Sequence, residues 1–126
     1  MRVATLLALV LMLAAPLAQA GDSISGLWEE TSTPGHNNSV VIFSQDGDKV
    51  WVTCYWEFKG QEVVWHGSGT RQGNQVNYRI THTRYPTGFE KEGQHKLTLS
   101  KDGKTMTGTW YDNRQNSGPL KFVRKK

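Results

Sequence analysis

The side chains with most to offer chemically are aromatic rings and imidazoles on alternating positions. Trp56, Trp65, Tyr78 and Trp110 share the alternation phase of Trp28 and Phe122 in their respective segments. Indole and phenol walls suit a small apolar or ring-shaped ligand, or the face of a sugar. The same rings can equally fill a core. His82 and His95 flank the connection Tyr85–Glu92. A hairpin symmetric about that connection sets the two imidazoles opposite each other on one face. Such a pair can bind a metal or a ligand carboxylate, or can simply hydrogen-bond at a rim. A zinc site takes three or four ligands. His66 falls on the opposite face and His36 in a loop, so no metal and no cofactor are expected.

No catalytic residues are expected either. Ser68 lies in Trp65-His66-Gly67-Ser68-Gly69, which reads as a strand with close-packed glycines and not as a nucleophile elbow. Glu29 and Glu30 point to opposite faces of one strand. Glu30 shares the phase of Trp28 and so could be an interior acid, but the expected place for it is in solvent at the strand end. Cys54, the only cysteine, sits among inward apolar residues, where a buried free thiol is the default. Walker, Rossmann and His-Glu-x-x-His patterns are absent. The formal net charge is +4, with basic residues gathered at the tail in Lys121, Arg124, Lys125 and Lys126. That pattern favours solubility or attraction to an anionic surface over nucleic-acid binding.

Positioning these residues requires strands. No helical period occurs after residue 21. Turn signals recur at Asp46-Gly47-Asp48, Lys59-Gly60-Gln61, Gly73-Asn74 and Lys101-Asp102-Gly103. Between them, apolar and polar residues alternate with period two. The alternation predicts eight strands, over 26–32, 39–45, 49–58, 62–71, 75–84, 94–100, 105–112 and 120–124. Outward Trp51 and Tyr55 share a face of the third, next to Phe43 or Val41 of the second, and could serve a protein partner or self-association. Eight short-linked strands form an antiparallel meander, and closing it removes its edges. An all-β, eight-stranded up-and-down barrel is therefore expected, with a two-sheet sandwich as the structural alternative. The connection Tyr85–Glu92 would sit at a barrel end, as a gate or as an ordinary turn carrying Phe89 onto the rim.

The 126 residues include 13 glycines, 5 Trp, 4 Tyr and 4 Phe. So many aromatics argue against disorder, and one cysteine excludes an internal disulfide framework. Residues 1–20 read as a signal peptide: basic Arg2, the apolar run Val3–Ala15, Pro16, and Ala18-Gln19-Ala20 before the cut. The run is shorter than the ~20 residues of a membrane span. Residues 21–126 would then form one exported β-barrel domain, secreted or periplasmic, with no membrane span.

Gly26-Leu27-Trp28 on the first strand, with Arg124 on the last, resembles the signature of the calycins, the lipocalin and avidin type of barrel. The resemblance implies a first-strand Trp closing one end and a last-strand Arg lying across its indole, with Gly26 allowing close packing there. The length suits an avidin-sized barrel. Avidin's biotin contacts do not map onto this chain, and the lipocalin Thr-Asp-Tyr loop is absent. Bacterial inhibitors of secreted metalloproteases are similar in length and strand count but carry a disulfide. The expected function is non-enzymatic: binding a small hydrophobic or aromatic ligand at the barrel mouth, with Trp56, Trp65, Tyr78, His82, His95 and Trp110 as candidate contacts. The alternative is a protein-interaction module, such as an inhibitor of an extracellular enzyme.

Overall fold

The computed structural model describes residues 22–34 and 36–126; the expected signal peptide lies outside them. Eight strands follow in order: β1 (Gly26–Glu30), β2 (His36–Asp46), β3 (Lys49–Phe58), β4 (Gln61–Gln72), β5 (Gln75–Arg84), β6 (Glu92–Leu99), β7 (Thr105–Asp112) and β8 (Ser117–Arg124). Each pairs antiparallel with the next, and β1 pairs with β8 through Trp28–Arg124, Glu29–Val123 and Glu30–Phe122. The sheet is a closed up-and-down barrel, and the sandwich alternative is excluded. No helix among the described residues is long and apolar enough to cross a membrane.

The strands form where period two is cleanest. In β3 the inward residues Val50, Val52, Cys54 and Trp56 are buried, and the intervening positions turn outward. The tight turns depend on glycine: Gly47, Gly60 and Gly73 take φ of 59°, 78° and 59°. His36 begins β2 and does not lie in a loop, because β2 continues past an irregularity between Asn37 and Val40. On the outer face, Val40 and Ile42 flank Trp51 and Tyr55. Val41 and Phe43, expected there, point inward and are buried. The register decides this, since successive side chains alternate faces.

The lower end of the barrel is solid. Trp28 is fully buried, and its indole N–H donates to the Ile24 carbonyl at 2.9 Å. The Arg124 guanidinium lies 4.5 Å from the centre of the Trp28 ring. It also donates to the carbonyls of Gly103, Ser25 and Ser23 at 3.0, 3.2 and 2.9 Å. One cation thereby ties β8 to the β6–β7 turn and to the segment before β1. Gly26 is required here, since a Cβ would lie 2.5 Å from the Lys126 carbonyl oxygen.

Arg71 is a second cation at this end, fully buried on the inward phase of β4. It donates to the carbonyls of Gly73 and Asp22 at 2.9 and 2.7 Å, and to Gln45 Oε1 at 3.2 Å. Burial, with Arg124 nearby, lowers its pKa, and the hydrogen bonds compensate for its desolvation. Above this floor Phe43 packs edge-on against Trp28, Tyr78 and Phe122, with centroids 5.8, 5.8 and 5.7 Å apart. Such aromatic pairs add about 1 kcal/mol each beyond the area they bury.

Candidate functional site

The up-and-down course sends the β1–β2, β3–β4, β5–β6 and β7–β8 connections to the upper end. Here the barrel is hollow, with a cavity of about 570 Å³. Cys54, Trp56, Trp65, Ile80, His95 and Phe122 line its depth, and loop residues line its rim. A second depression, about 480 Å³, lies at the lower end among polar turn residues such as Asp102 and Lys104. The upper cavity alone is walled by the aromatic interior.

His95 lines the cavity 5% exposed, with Nδ1 2.9 Å from the Tyr78 hydroxyl. Trp65 stacks on Tyr78 at 6.3 Å and meets the His95 ring edge-on at 5.0 Å. Burial, with a smaller effect from His82, holds the His95 pKa down at about 3. The imidazole is therefore neutral across the physiological range. Burial also pushes the Tyr78 hydroxyl well up. Cys54 lies beside them, its thiol pushed up by burial and then by the charge of Glu30. A thiol of that kind is a poor nucleophile.

His82 and His95 are not opposite each other. His95 pairs across β5–β6 with Tyr78, and the Ile80–Gly93 pair separates the two histidines. The connecting loop is asymmetric: the His82 backbone N–H donates to the Lys91 carbonyl, and His82 Nδ1 lies 2.9 Å from the Glu90 carbonyl oxygen. Pairing therefore starts closer to the loop on β6 than a symmetric hairpin gives. Both rings still line the cavity, His95 in its depth and His82 near the rim. His82 has its pKa lowered by burial, partly offset by its backbone contacts. Among the described residues no group of three or more His, Cys, Asp or Glu could hold a metal ion.

Phe89 covers part of the mouth. Gly88 takes φ of 96°, and the Phe89 N–H donates to the Pro86 carbonyl at 3.2 Å. The turn lays Phe89 against Trp56, Phe58 and His82, at 6.1, 5.4 and 5.9 Å between centroids. On the far wall Trp110 pairs with Gly118 of β8, where a Cβ would lie 2.6 Å from the indole nitrogen. The glycine leaves the space that the Trp110 ring occupies, half-buried beside the cavity.

Glu30 was expected in solvent and is instead 6% exposed and lines the cavity. Its inward phase continues from Trp28, and the chain after β1 folds back over it. Glu30 Oε1 accepts from the Ser32 backbone N–H at 2.8 Å, from the Ser32 hydroxyl, and from the Thr33 hydroxyl at 3.3 Å. The signal for this was present: Glu30 stands two residues after Trp28, and hydroxyl residues able to cap a carboxylate follow it. Arg71, at the other end, was missed although it follows Gly69 on the inward phase.

Comparison with protein-family models, curated proteins and solved structures gave no match. The functional reading therefore rests on the barrel and its cavity.

Proposed function

We propose that this protein is an exported, non-enzymatic barrel that binds a small hydrophobic or aromatic molecule through its upper mouth. The observation that carries this reading is the cavity of about 570 Å³ walled by Trp56, Trp65, Ile80 and Phe122 above a solid floor. That volume falls in the range of pockets that enclose small organic ligands. Barrels of eight strands leave room for one such ligand when their interior side chains do not fill it. The Trp28–Arg124 contact supports a kinship with calycin barrels, and residues 1–20 support export with cleavage near Ala20.

The test is titration with the neutral fluorophore N-phenyl-1-naphthylamine, read by its own emission and by tryptophan quenching. Saturable one-to-one binding is expected, and it should be lost in Ile80→Trp, which fills the cavity. Absence of saturable binding to the wild-type protein would sink the proposal.

A second reading, a protein-interaction module such as an inhibitor of an extracellular enzyme, draws on one observation. Val40, Ile42 and Trp51 stand 45%, 52% and 46% exposed on the outer face of β2 and β3. Capture of a secreted enzyme by the wild-type protein, lost in Trp51→Lys with ligand binding intact, would favour that reading.

A further inference from the structure

The protein as a whole is basic, yet its cavity is not. The formal net charge is +4, with 15 lysines and arginines. Among the described residues no lysine or arginine lines the cavity, whereas Glu30, Glu90, Glu92 and Asp112 all do. The nearest arginine pairing is at the rim, where Arg114 forms an ion pair with Glu90 while remaining largely in solvent. Asp112 accepts from the Asn116 side-chain amide and from the backbone N–H groups of Asn116 and Arg114, and these contacts hold its pKa down. The two imidazoles add no positive charge near neutrality, because burial lowers both.

The carboxylates differ in depth. Glu92 and Glu90 stand at the outer rim, and Glu30 is buried in the wall. Its placement beside Cys54, whose thiol feels its charge, sets a negative group within the aromatic part of the lumen. The cavity it borders is also lined by the rings of Trp56, Trp65 and Phe122, and aromatic ring faces carry negative electrostatic potential. Two rings bordering the cavity, Phe58 and Tyr111, already hold the ammonium groups of Lys59 and Lys96 at 5.2 and 5.6 Å.

We infer that the ligand of this cavity is an organic cation: an ammonium group, most suitably quaternary, on an apolar or aromatic body. This rests on the ligand-binding reading above and narrows it. The apolar body would lie against Trp56 and Trp65, with the charged head held between ring faces and the Glu30 carboxylate. A quaternary head suits the site because it is weakly hydrated and needs no hydrogen-bond acceptors, so entering an aromatic enclosure costs it little. An anion entering the same space would meet acids at the rim and in the wall, and no fixed cation in the lining.

The experiment compares two molecules of the same shape, phenyltrimethylammonium and tert-butylbenzene, by tryptophan fluorescence and calorimetry on the wild-type protein. The cation should bind about tenfold or more tightly than its neutral isostere. Glu30→Gln should reduce that preference to about threefold or less, as expected for loss of a nearby opposite charge. Glu92→Gln, at the exposed rim, should reduce it by a smaller factor and serves if Glu30→Gln does not fold. Equal binding of the two molecules to the wild-type protein, or tighter binding of the neutral one, would overturn the cation inference and leave the ligand-binding reading standing. Binding of neither, together with no saturable uptake of N-phenyl-1-naphthylamine, would overturn both.

Discussion

Acidification should destabilise the barrel through His95. In the folded protein this imidazole is 5% exposed among Trp65, Tyr78 and Phe122, and burial holds its pKa at about 3, against an ordinary 6.5. The unfolded chain takes up the proton near pH 6.5, and the folded chain refuses it until about pH 3. The unfolded state binds more protons throughout that window, so stability is full above it and falls as the pH drops. Linkage puts the loss at about 2 kcal/mol on going from pH 8 to pH 5, rising to about 4 kcal/mol at pH 3. Urea unfolding followed by tryptophan fluorescence at pH 8 and pH 5 measures it, with His95→Gln as the reference. Glutamine cannot titrate but can still bond the Tyr78 hydroxyl, so the fixed cost of the substitution cancels between the two pH values. Contributions from the other titrating groups are common to both proteins and cancel too. The wild-type protein should lose about 2 kcal/mol more than the variant. Equal losses, within about 0.5 kcal/mol, would refute the assignment of this proton to His95.

Other substitutions probe the floor, the wall and the mouth. Arg124→Ala removes the contact with Trp28 and three bonds to carbonyls, and should cost about 2–3 kcal/mol in urea unfolding. Arg124→Lys should recover less than half of that, because an ammonium cannot span Gly103, Ser25 and Ser23 together. Gly108→Ala places a Cβ 1.8 Å from the Lys96 carbonyl oxygen and 2.9 Å from Leu97 Cα, both backbone. It should cost about 3 kcal/mol or more, whereas Gly47→Ala, with φ of 59° and nothing within 4 Å, should cost about 1 kcal/mol by thermal unfolding. Phe89→Ala should uncover Trp56, now 8% exposed, and so red-shift the emission and raise acrylamide quenching. Its effect on stability should stay within about 1.5 kcal/mol, since Phe89 is only partly buried.

The fold was legible because period two leaves a strong imprint. The bounds of β3, β5 and β7 coincide with those expected from alternation, since each ends at an abrupt turn. β8 begins at Ser117 and not Leu120, since Gly118 and Pro119, which look like turn residues, join the ladder opposite Trp110 and Thr109. β1 stops at Glu30 because Ser32 and Thr33 turn back to cap its carboxylate. The inward phase of Trp56, Trp65 and Tyr78 could be read from spacing alone. The relation of His82 to His95 could not, because register across a long loop depends on how that loop folds. Nor could the cavity, whose volume depends on barrel radius and stagger, quantities that alternation along a single strand does not carry. The buried charges Glu30 and Arg71 went unrecognised because charged side chains are normally placed in solvent, although both sat on the inward phase.

The seam between β1 and β8 also bears on how the protein forms. It joins residues almost a full chain length apart: the Arg124–Ser25 bond alone spans 99 positions. Every other ladder is a hairpin that can zip locally, but this one must close the largest loop in the molecule. Closure should therefore come late and set the folding rate, in the millisecond-to-second range of non-local β topologies. Until it happens, β1 and β8 each present an unpaired edge beside apolar interior faces, a template for pairing with another chain. The period before β8 docks is then the aggregation-prone interval of folding. A chain cut short before Ser117 would remain in that open state, deprived of the strand that removes both edges.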